Sequence, residues 1–349
     1  MIPKKMKALV MEQYKDFNIR EWDVPEITDT QVLIKLKACA ICGSDVGGSD
    51  GKNGRRIPPI IMGHEASGVI VKTGSAVRDW SVGQRVTFDS TEYCGECKFC
   101  RAGMINLCSH RKVLGVSCDE YRRHGAMAEY IAVEARTLYA LPDSVSFEEA
   151  ALVEPLSIGV HAAAISPIKM GDTVLINGAG TIGLMTLLAV KASGASRIVM
   201  CDRKNDKLAL ARAMGATDTV NTTETDAAEY CRSITNGEGA DLAFDAVGME
   251  GTINTDIAAL RKGGCLVAIG NMSKEINFPL QYCITRQIRV QGSCASSGEY
   301  DICLNMIAGH SVDLTPFLQV TMPLEQGKEA FQRLFDREPG LQKIILTMD

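Results

Sequence analysis

The chain has 349 residues, of which 46% are hydrophobic and 23% charged, and its formal net charge is −5. This length suits two domains with a sizeable core, and an acidic balance without a long Lys/Arg run argues against a nucleic-acid-binding protein. The N-terminal segment lacks the apolar stretch of a signal peptide, and the longest apolar segment is interrupted by glycines, which argues against a membrane span. We therefore expect a soluble cytoplasmic protein.

Cysteine is frequent, with 13 residues. An odd number of cysteines in a chain without a signal peptide argues against a disulfide framework and for thiols that stay reduced. The spacing of the cysteines therefore decides which of them are candidate metal ligands.

The N-terminal part predicts short strands separated by loops. Their β-branched content and partial alternation place them at 6–14, 31–38, 63–77, 82–86 and 124–141. Between the second and third strands, residues 38–59 are rich in glycine and end in two prolines, which predicts an irregular loop of the kind that often carries function. Residues 146–166 have helical spacing, where Ser146 and Glu149 predict a capping box and Pro155 predicts a break or a restart.

Four residues from separate stretches have the side chains of a metal site. They are Cys42 in the irregular loop, His64 and Glu65 after a glycine, and Glu154 before Pro155. Taken singly they also fit a buried thiol, a core histidine, a surface acid and a helix-cap acid. Together they supply a thiolate, an imidazole and two carboxylates, a set that suits zinc with an exchangeable position. The spacing alone leaves both interpretations open.

A second group of cysteines lies in the segment 89–112, which has no periodicity. Its four members follow the pattern C-x2-C-x2-C-x7-C and are Cys94, Cys97, Cys100 and Cys108. Four thiolates at these intervals can close on one tetrahedral zinc ion and leave no open position, so such a site holds a lobe together without doing chemistry. An iron–sulfur cluster is the alternative metal centre. Packing as core cysteines is the alternative without a metal, and the low apolar content of the segment argues against it.

The stretch 174–202 predicts a strand, a glycine turn, a helix and a second strand that bind a dinucleotide. Gly178 permits the tight turn, Gly180 lets the backbone approach the pyrophosphate, and Gly183 allows close helix–strand packing. Asp202 ends the second strand, where an acid hydrogen-bonds the adenosine ribose and repels a 2′-phosphate, so NAD is favoured over NADP. The next residue, Arg203, opposes this preference. The expected cofactor contacts here are Gly178, Gly180, Thr181, Ile182, Gly183, Asp202 and Arg203.

Strand and helix patterns alternate after residue 202. Helices are expected at 205–214, 227–234, 252–260 and 298–309, and strands at 240–246, 265–269 and 286–294. Alternation at these lengths predicts parallel β-α-β units in a doubly wound α/β domain. Two further strands, at 317–322 and 343–348, are expected to rejoin the first domain.

Several of these motifs occur together and in one order. They are CGSD at 42–45, GHE at 63–65, the four-cysteine lobe, VEPL at 153–156 and GAGTIG at 178–183. In this combination the chain resembles the zinc-dependent medium-chain dehydrogenases over essentially its whole length. The stretch VEPLSIGVHA is most similar to the polyol branch of that family, the sorbitol (L-iditol) and galactitol-1-phosphate dehydrogenases.

The resemblance implies an α/β architecture in two domains. A GroES-like, mainly-β catalytic domain is expected at 1–153, with the structural zinc lobe at 89–112, and the segment 294–349 returns to complete it. A Rossmann domain with a doubly wound parallel sheet is expected at 154–293, and the active site in the cleft between the domains. Members of the family are dimers or tetramers, so we expect a homo-oligomer.

The resemblance also assigns roles to the candidate residues. It implies that Cys42, His64 and one or both of Glu65 and Glu154 hold a catalytic zinc, which gives two zinc ions per chain. Ser44 is then the first acceptor of the proton that the substrate hydroxyl loses, although Gly47 stands where many relatives have a histidine to complete the relay. The positions expected to line the nicotinamide are Val247, Gly248, Ile269 and Gly270.

These residues predict an oxidoreductase that moves a hydride from a secondary alcohol of a polyol, sugar alcohol or its phosphate to NAD. Arg55 and Arg56 are candidates for binding a substrate phosphate, although two arginines in a glycine-rich loop also fit a solvated surface. One alternative is a butanediol- or threonine-type dehydrogenase. The other is a non-catalytic scaffold that binds zinc and a nucleotide.

Overall fold

The computed structural model describes residues 1–52, 54–116 and 122–348. The chain divides into two compact units, Met1–Glu154 with Ser297–Asp349, and Pro155–Ser296. Among the described residues no helix has both the length and the apolar character needed to cross a membrane.

The first stretch of the chain is mainly β. Its elements are β1 (Lys5–Gln13), β2 (Asp16–Asp23), β3 (Gln31–Ala40), α1 (Gly43–Gly48), β4 (Ile60–Ile61), β5 (Glu65–Thr73), β6 (Arg85–Phe88), β7 (Thr91–Glu92), α2 (Lys98–Arg101), β8 (Lys112–Val113), β9 (Tyr130–Glu134), β10 (Leu138–Ala140), α3 (Phe147–Ala151) and α4 (Val153–Ile165), with 3-10 turns at Ile105–Leu107 and Ala135–Thr137. Strand β3 is central, because β5, β9 and the C-terminal strand described below all pair with it.

Two elements here differ from the sequence predictions. Strand β2, which pairs antiparallel with β1, was not predicted. The prediction that residues 38–59 hold no regular element was wrong, because they include the end of β3 and the short helix α1. That helix begins where the Cys42 sulfur accepts a hydrogen bond from the Ser44 backbone N–H at 3.4 Å. A thiol as N-cap is not among the usual capping signals, which is why the sequence did not indicate it.

The helical stretch before the glycine motif agrees with its prediction. The Ser146 hydroxyl accepts from the Glu149 N–H, and the Glu149 carboxylate accepts from the Ser146 N–H, so the capping box is confirmed. The chain restarts as α4 at residue 153, which leaves Pro155 in a first turn, where its missing N–H is tolerated.

The second unit is a single parallel sheet with helices. It contains β11 (Thr173–Asn177), α5 (Thr181–Ala192), β12 (Arg197–Asp202), α6 (Asn205–Met214), β13 (Asp218–Asn221), α7 (Ala227–Ile234), β14 (Ala240–Asp245), α8 (Glu250–Ala259), β15 (Leu260–Ala268), α9 (Leu280–Arg286) and β16 (Arg289–Gly292). The strand order is β13-β12-β11-β14-β15-β16, the 3-2-1-4-5-6 order of a dinucleotide-binding sheet. The predicted α/β doubly wound fold is confirmed.

The tail returns to the first unit. It comprises α10 (Tyr300–Ala308), β17 (Thr321–Pro323), α11 (Gly327–Phe335) and β18 (Ile345–Thr347), with 3-10 turns at Thr315–Phe317 and Leu324–Gln326. The strand predicted at 317–322 begins only at Thr321, because Pro316 favours a turn before it. Strand β18 pairs antiparallel with β3, and Ile345 stands opposite Ala40.

Candidate metal and cofactor sites

The mixed group of candidate ligands meets where two strands end. Ala40 in β3 pairs with Glu65 in β5, so the residues that follow β3 lie beside those that begin β5. Ligand atoms of Cys42, His64 and Glu65 all lie within 4.8 Å of one another, with His64 and Glu65 buried. We call these three residues the mixed cluster. A thiolate, an imidazole and a carboxylate at this separation are a donor set that fits a zinc ion.

The imidazole of His64 faces a buried carboxylate. Its Nδ1 atom lies 3.6 Å from Oδ2 of Asp45, and neither atom has a hydrogen-bond partner among the described residues. Metal-binding histidines commonly donate their second ring N–H to a carboxylate, which fixes the ring and leaves the other nitrogen as the ligand. Two facing buried atoms without other partners fit this arrangement.

Glu65 takes part in an ion pair as well as in the cluster. Lys343 Nζ lies 2.7 and 2.5 Å from the two carboxylate oxygens of Glu65, and both side chains are almost fully buried. The pair gives each of two buried charged groups an opposite charge as its partner. The Glu65 carboxylate is therefore shared between Lys343 and the position that a metal ion would take.

Glu154, the fourth predicted ligand, is near this group without being part of it. It lies in the first turn of α4 and is partly buried. Burial raises the pKa of its carboxyl to about 8, with the nearby charges of Glu65 and Cys42 adding to the rise and that of His64 opposing it. The ligand role of Glu154 stays a prediction.

The Cys42 thiol needs a positive ion to become a ligand. Burial raises its pKa to about 12, and the Glu65 carboxylate adds to this rise. Metal binding displaces the thiol proton, because thiolate is the ligand form. The cluster is thus built to be completed by a cation.

The four lobe cysteines fit a single tetrahedral ion. Their sulfur atoms lie within 4.8 Å of one another, with separations of 4.0 Å for Cys94–Cys100, 3.5 Å for Cys97–Cys100 and 3.5 Å for Cys94–Cys108. Zinc–sulfur bonds of about 2.3 Å give a tetrahedron with edges of about 3.8 Å. Sulfur atoms this close leave no room for an iron–sulfur cluster between them.

Backbone N–H groups point at these sulfur atoms. Cys94 N donates to Cys108 Sγ at 3.3 Å, and Cys97 N donates to Cys94 Sγ at 3.4 Å. Hydrogen bonds from the backbone N–H of Cys100 and Ser109 lower the pKa of the Cys97 thiol to about 5. The backbone of the lobe therefore favours the thiolate form of Cys94 and Cys97, whereas burial raises the pKa of the Cys100 thiol to about 12. All cysteines in the described part of the chain are free thiols; Cys118 lies outside it.

The glycine motif stands at the carboxyl end of β11. Gly178 has φ of 99°, and a Cβ on Gly183 would lie 1.7 Å from the Gly178 carbonyl oxygen, so the turn and the packing both require glycine. Gly180 precedes α5, no side chain caps the helix, and the space around Gly180 is open. Thr181 and Ile182 form the first turn. Unpaired N–H groups at this end fit a phosphate.

Asp202 ends the neighbouring strand and faces the same turn. Its Oδ2 accepts from Ala179 N at 2.9 Å, while Oδ1 accepts from the backbone N–H of Arg203 and Lys204. The carboxylate is partly exposed, and Arg203 is exposed beside it. The negative charge thus sits next to the glycine turn, as the ribose contact requires.

The remaining predicted cofactor positions follow β14 and β15. A Cβ on Gly248 would lie 2.2 Å from the Gly270 carbonyl carbon, so these two loops pack closely. Asp245 hydrogen-bonds both loops. Its carboxylate accepts from the backbone N–H of Val247 and Gly248. Its carbonyl accepts from the backbone N–H of Ile269 and Gly270. All the cofactor candidates therefore lie at the carboxyl edge of one parallel sheet, where such sheets bind ligands.

Two residues near the mixed cluster were not assigned from the sequence, and a third was assigned a different role. Asp45 and Lys343 are the charged partners described above. Arg56 is 3% exposed and pairs with Asp45, so the hypothesis that it receives a substrate phosphate is wrong. Asp45 stands inside the motif CGSD, which is a signal for it, whereas nothing local marks Arg56 or Lys343.

The fold and the two ligand clusters define a protein with two candidate metal sites and a domain of the dinucleotide-binding type. Residues 28–143 match the family model of the alcohol dehydrogenase GroES-like domain, and residues 181–309 match that of zinc-binding dehydrogenases. The chain belongs to the zinc-binding medium-chain dehydrogenases, in their polyol branch, and the predicted family is confirmed.

Individual relatives agree with this placement. The chain is 35% identical to the sorbitol dehydrogenase of Bacillus subtilis, covering 99% of this chain and 98% of that one. It is also 35% identical to the D-arabitol-phosphate dehydrogenase of Enterococcus avium, covering 95% of both. The crystal structure of galactitol-1-phosphate dehydrogenase from Escherichia coli has a TM-score of 0.91 at 27% identity, covering 98% of this chain and 100% of that chain.

Proposed function

We propose that the protein is a zinc-dependent dehydrogenase that oxidises a secondary alcohol of a polyol, sugar alcohol or sugar-alcohol phosphate with NAD. The observation that carries the proposal is the group of Cys42, His64 and Glu65, whose ligand atoms lie within 4.8 Å of one another. The names of the relatives supply the substrate class. The close sulfur positions in the lobe support a second zinc ion, so that each chain holds two.

Cys42 and His64 would hold a zinc ion, which would supply the Lewis acidity that makes an alcohol hydroxyl easier to deprotonate. The chain's own residues would manage the proton. Ser44 is exposed, and its hydroxyl donates to Cys42 Sγ at 3.2 Å and accepts from Arg56 Nη2 at 3.4 Å. With glycine at position 47, we propose that Ser44 Oγ passes the proton directly to water.

NAD is the proposed cofactor because of Asp202. A 2′-phosphate would stand against this carboxylate, which already accepts three backbone hydrogen bonds and cannot turn away without losing them. Val247, Gly248, Ile269 and Gly270 are proposed to line the nicotinamide, and Arg203 to lie beside the ribose. The free thiols support a reducing compartment, so we propose the cytoplasm.

We further propose a homo-oligomer built on a dimer. Strand β16 is the last strand of its sheet, and all four of its residues are exposed. Val290 within the strand is 47% exposed, and Leu280 and Ile284 in α9 are 61% and 69% exposed. An unpaired edge with apolar neighbours is a template for another strand, and a second copy offers the same edge in a self-complementary two-fold pairing. Val290→Lys should convert the dimer to a monomer in light scattering.

The decisive experiment combines a substrate screen with metal counting. Polyols, their phosphates, inositols and short diols are offered with NAD or NADP, and NADH absorbance is followed. Native mass spectrometry counts zinc ions per chain. We expect turnover of a polyol or its phosphate with NAD and two zinc ions. Turnover of butanediol or threonine alone would favour the alternative dehydrogenase, and one zinc ion without any turnover would favour a scaffold.

A further inference from the structure

Arg56 is a buried arginine that the proposed reaction does not use. It lies in the loop between α1 and β4 with its side chain 3% exposed. Burying a guanidinium is unfavourable unless it is paired and hydrogen-bonded. The partners of Arg56 are therefore informative, and two of them belong to α1, the helix that Cys42 caps.

The first partner is the carboxylate that faces His64. Arg56 Nε and Nη2 lie 3.1 and 2.8 Å from the same oxygen of Asp45, Oδ1. Because Arg56 engages Oδ1, the other oxygen, Oδ2, is the one left facing His64 Nδ1 at 3.6 Å. The guanidinium thus fixes the rotation of the carboxylate that orients the imidazole.

The second partner is the hydroxyl beside Cys42. Arg56 Nη2 lies 3.4 Å from Ser44 Oγ, which in turn donates to Cys42 Sγ at 3.2 Å. One guanidinium therefore contacts both the carboxylate that faces the His64 imidazole and the hydroxyl that donates to the Cys42 thiol. Its planar set of donors in fixed directions makes this possible, and a lysine ammonium lacks that geometry.

We propose that Arg56 is a positioning residue that orients the His64 ligand through Asp45 and the Cys42 ligand through Ser44. The inference rests on the proposed function, because it treats Cys42 and His64 as ligands of one ion. It predicts that replacing Arg56 weakens binding of that ion. Groups one step behind metal ligands typically change metal affinity or activity by about 10- to 100-fold when they are replaced.

The test uses the full chain with three changes, Arg56→Lys, Arg56→Met and the double change Asp45→Asn with Arg56→Met. The matched control is Arg333→Met, which removes an arginine of the same unit that pairs bidentately with Glu338 at 2.7 and 2.9 Å. Graded chelation followed by native mass spectrometry measures the affinity of the more weakly held metal. Cobalt(II) placed in the vacated position reports ligand geometry by absorption, and kcat, KM and thermal midpoint are measured in parallel.

We expect Arg56→Met to weaken metal binding about 10- to 100-fold, to shift the cobalt absorption and to lower kcat more than it raises KM. Arg56→Lys should restore part of each effect, and Arg333→Met should change none. The double change leaves no charge buried without a partner, so it should recover the thermal midpoint while the metal defect persists. If Arg56→Met does not fold, Arg56→Lys and the double change carry the test.

Two results would overturn the inference. One is wild-type metal affinity and cobalt absorption in any folded Arg56 variant. The other is recovery of metal affinity together with the thermal midpoint in the double change, since Arg56 would then matter only for stability. A wild-type chain that holds one metal ion, or oxidises no alcohol, would instead contradict the proposed function.

Discussion

The two metal-ligand clusters of the first unit are assembled from different parts of the chain. The lobe takes its four thiols from residues 94–108, and backbone N–H groups of the same segment hydrogen-bond the sulfur atoms. The mixed cluster brings Cys42 to His64 and Glu65, and a lysine 278 residues further on pairs with that glutamate. The lobe is thus locally determined, whereas the mixed cluster depends on the whole unit.

The origin of the ligands limits what each cluster can do. A loop that carries its own hydrogen-bond donors and four thiols closes fully around an ion, which suits a structural role. A cluster whose charges come from separate elements can leave a position open and adjust its charge balance through Asp45, Arg56 and Lys343. The four predictions below test whether the first cluster contributes stability and the second contributes chemistry.

Cys42→Ala should have the largest effect. Loss of the thiolate should remove the ion that activates the alcohol, so kcat should fall by about 10⁴-fold, roughly 5.5 kcal/mol. Native mass spectrometry should show one zinc ion instead of two, with little change in thermal midpoint. The control is Cys39→Ala, a buried thiol three positions earlier, which should keep both ions. Unchanged turnover in Cys42→Ala would contradict the assignment of chemistry to the mixed cluster.

Lys343→Met should have the second-largest effect, a decrease in the free energy of unfolding. It leaves the Glu65 carboxylate buried without its cation, and breaking a buried pair in this way costs about 3–5 kcal/mol. Urea unfolding of the metal-free protein measures it, because a bound zinc ion would give the Glu65 carboxylate a second cation partner. The exposed pair of Lys328 with Asp16 is the control, and Lys328→Met should change the free energy of unfolding by less than about 0.5 kcal/mol. Equal losses in the free energy of unfolding for Lys343→Met and Lys328→Met would show that burial gives the Glu65 pair no additional contribution to stability.

Cys100→Ala in the lobe should lower stability while sparing the chemistry. A cross-link that closes a loop of this length contributes about 3 kcal/mol by restricting the unfolded chain. We expect loss of one zinc ion and faster proteolysis within 89–112, with kcat of the folded fraction within a few-fold of wild type. Cys283→Ala, which deletes a buried thiol outside both clusters, should keep both ions. A loss of turnover as large as in Cys42→Ala would contradict a purely structural role for the lobe.

Asp89→Asn should have the smallest effect, and it should depend on pH. Asp89 follows β6 just before the lobe, and burial raises its pKa to about 7. In the unfolded chain the Asp89 carboxyl ionises near pH 4, whereas in the folded protein it ionises only near pH 7. The free energy of unfolding of the wild type therefore falls as the pH rises from about 4 to 7, and it stays lowered above pH 7. The amide of the variant cannot ionise, so the variant should gain about 2 kcal/mol relative to wild type between pH 5 and pH 8. Parallel pH profiles in thermal unfolding would refute this, and the exposed Asp79→Asn is the control.

The sequence predicted the second unit better than the first. Helices 205–214 and 227–234 have the bounds expected, because an amphipathic pattern ends at Gly215 in one case and begins after the capping Asp226 in the other. The lobe was predictable for a similar reason, since its ligands are close in sequence. Local patterns suffice where neighbours along the chain are neighbours in space.

The surroundings of the mixed cluster could not be predicted from local patterns. A six-residue helix with three glycines and a thiol cap has no helical periodicity. Arg56 sits in a loop that suggested solvent, and Lys343 follows a short turn far from the motif it completes. Their roles arise from the pairing of β3 with β5 and β18, which the sequence shows only as separate apolar runs.

The pairing of β18 with β3 has a consequence for how the protein is made. Ile345–Thr347 hydrogen-bond the end of the strand that leads into Cys42, and Ile41 N donates to Ile344 O. On the ribosome, the first 65 residues emerge long before Lys343 exists. Glu65 must wait for its counter-ion until 278 further residues have been translated, so the thiol cluster of the lobe can capture its ion before the other cluster is complete.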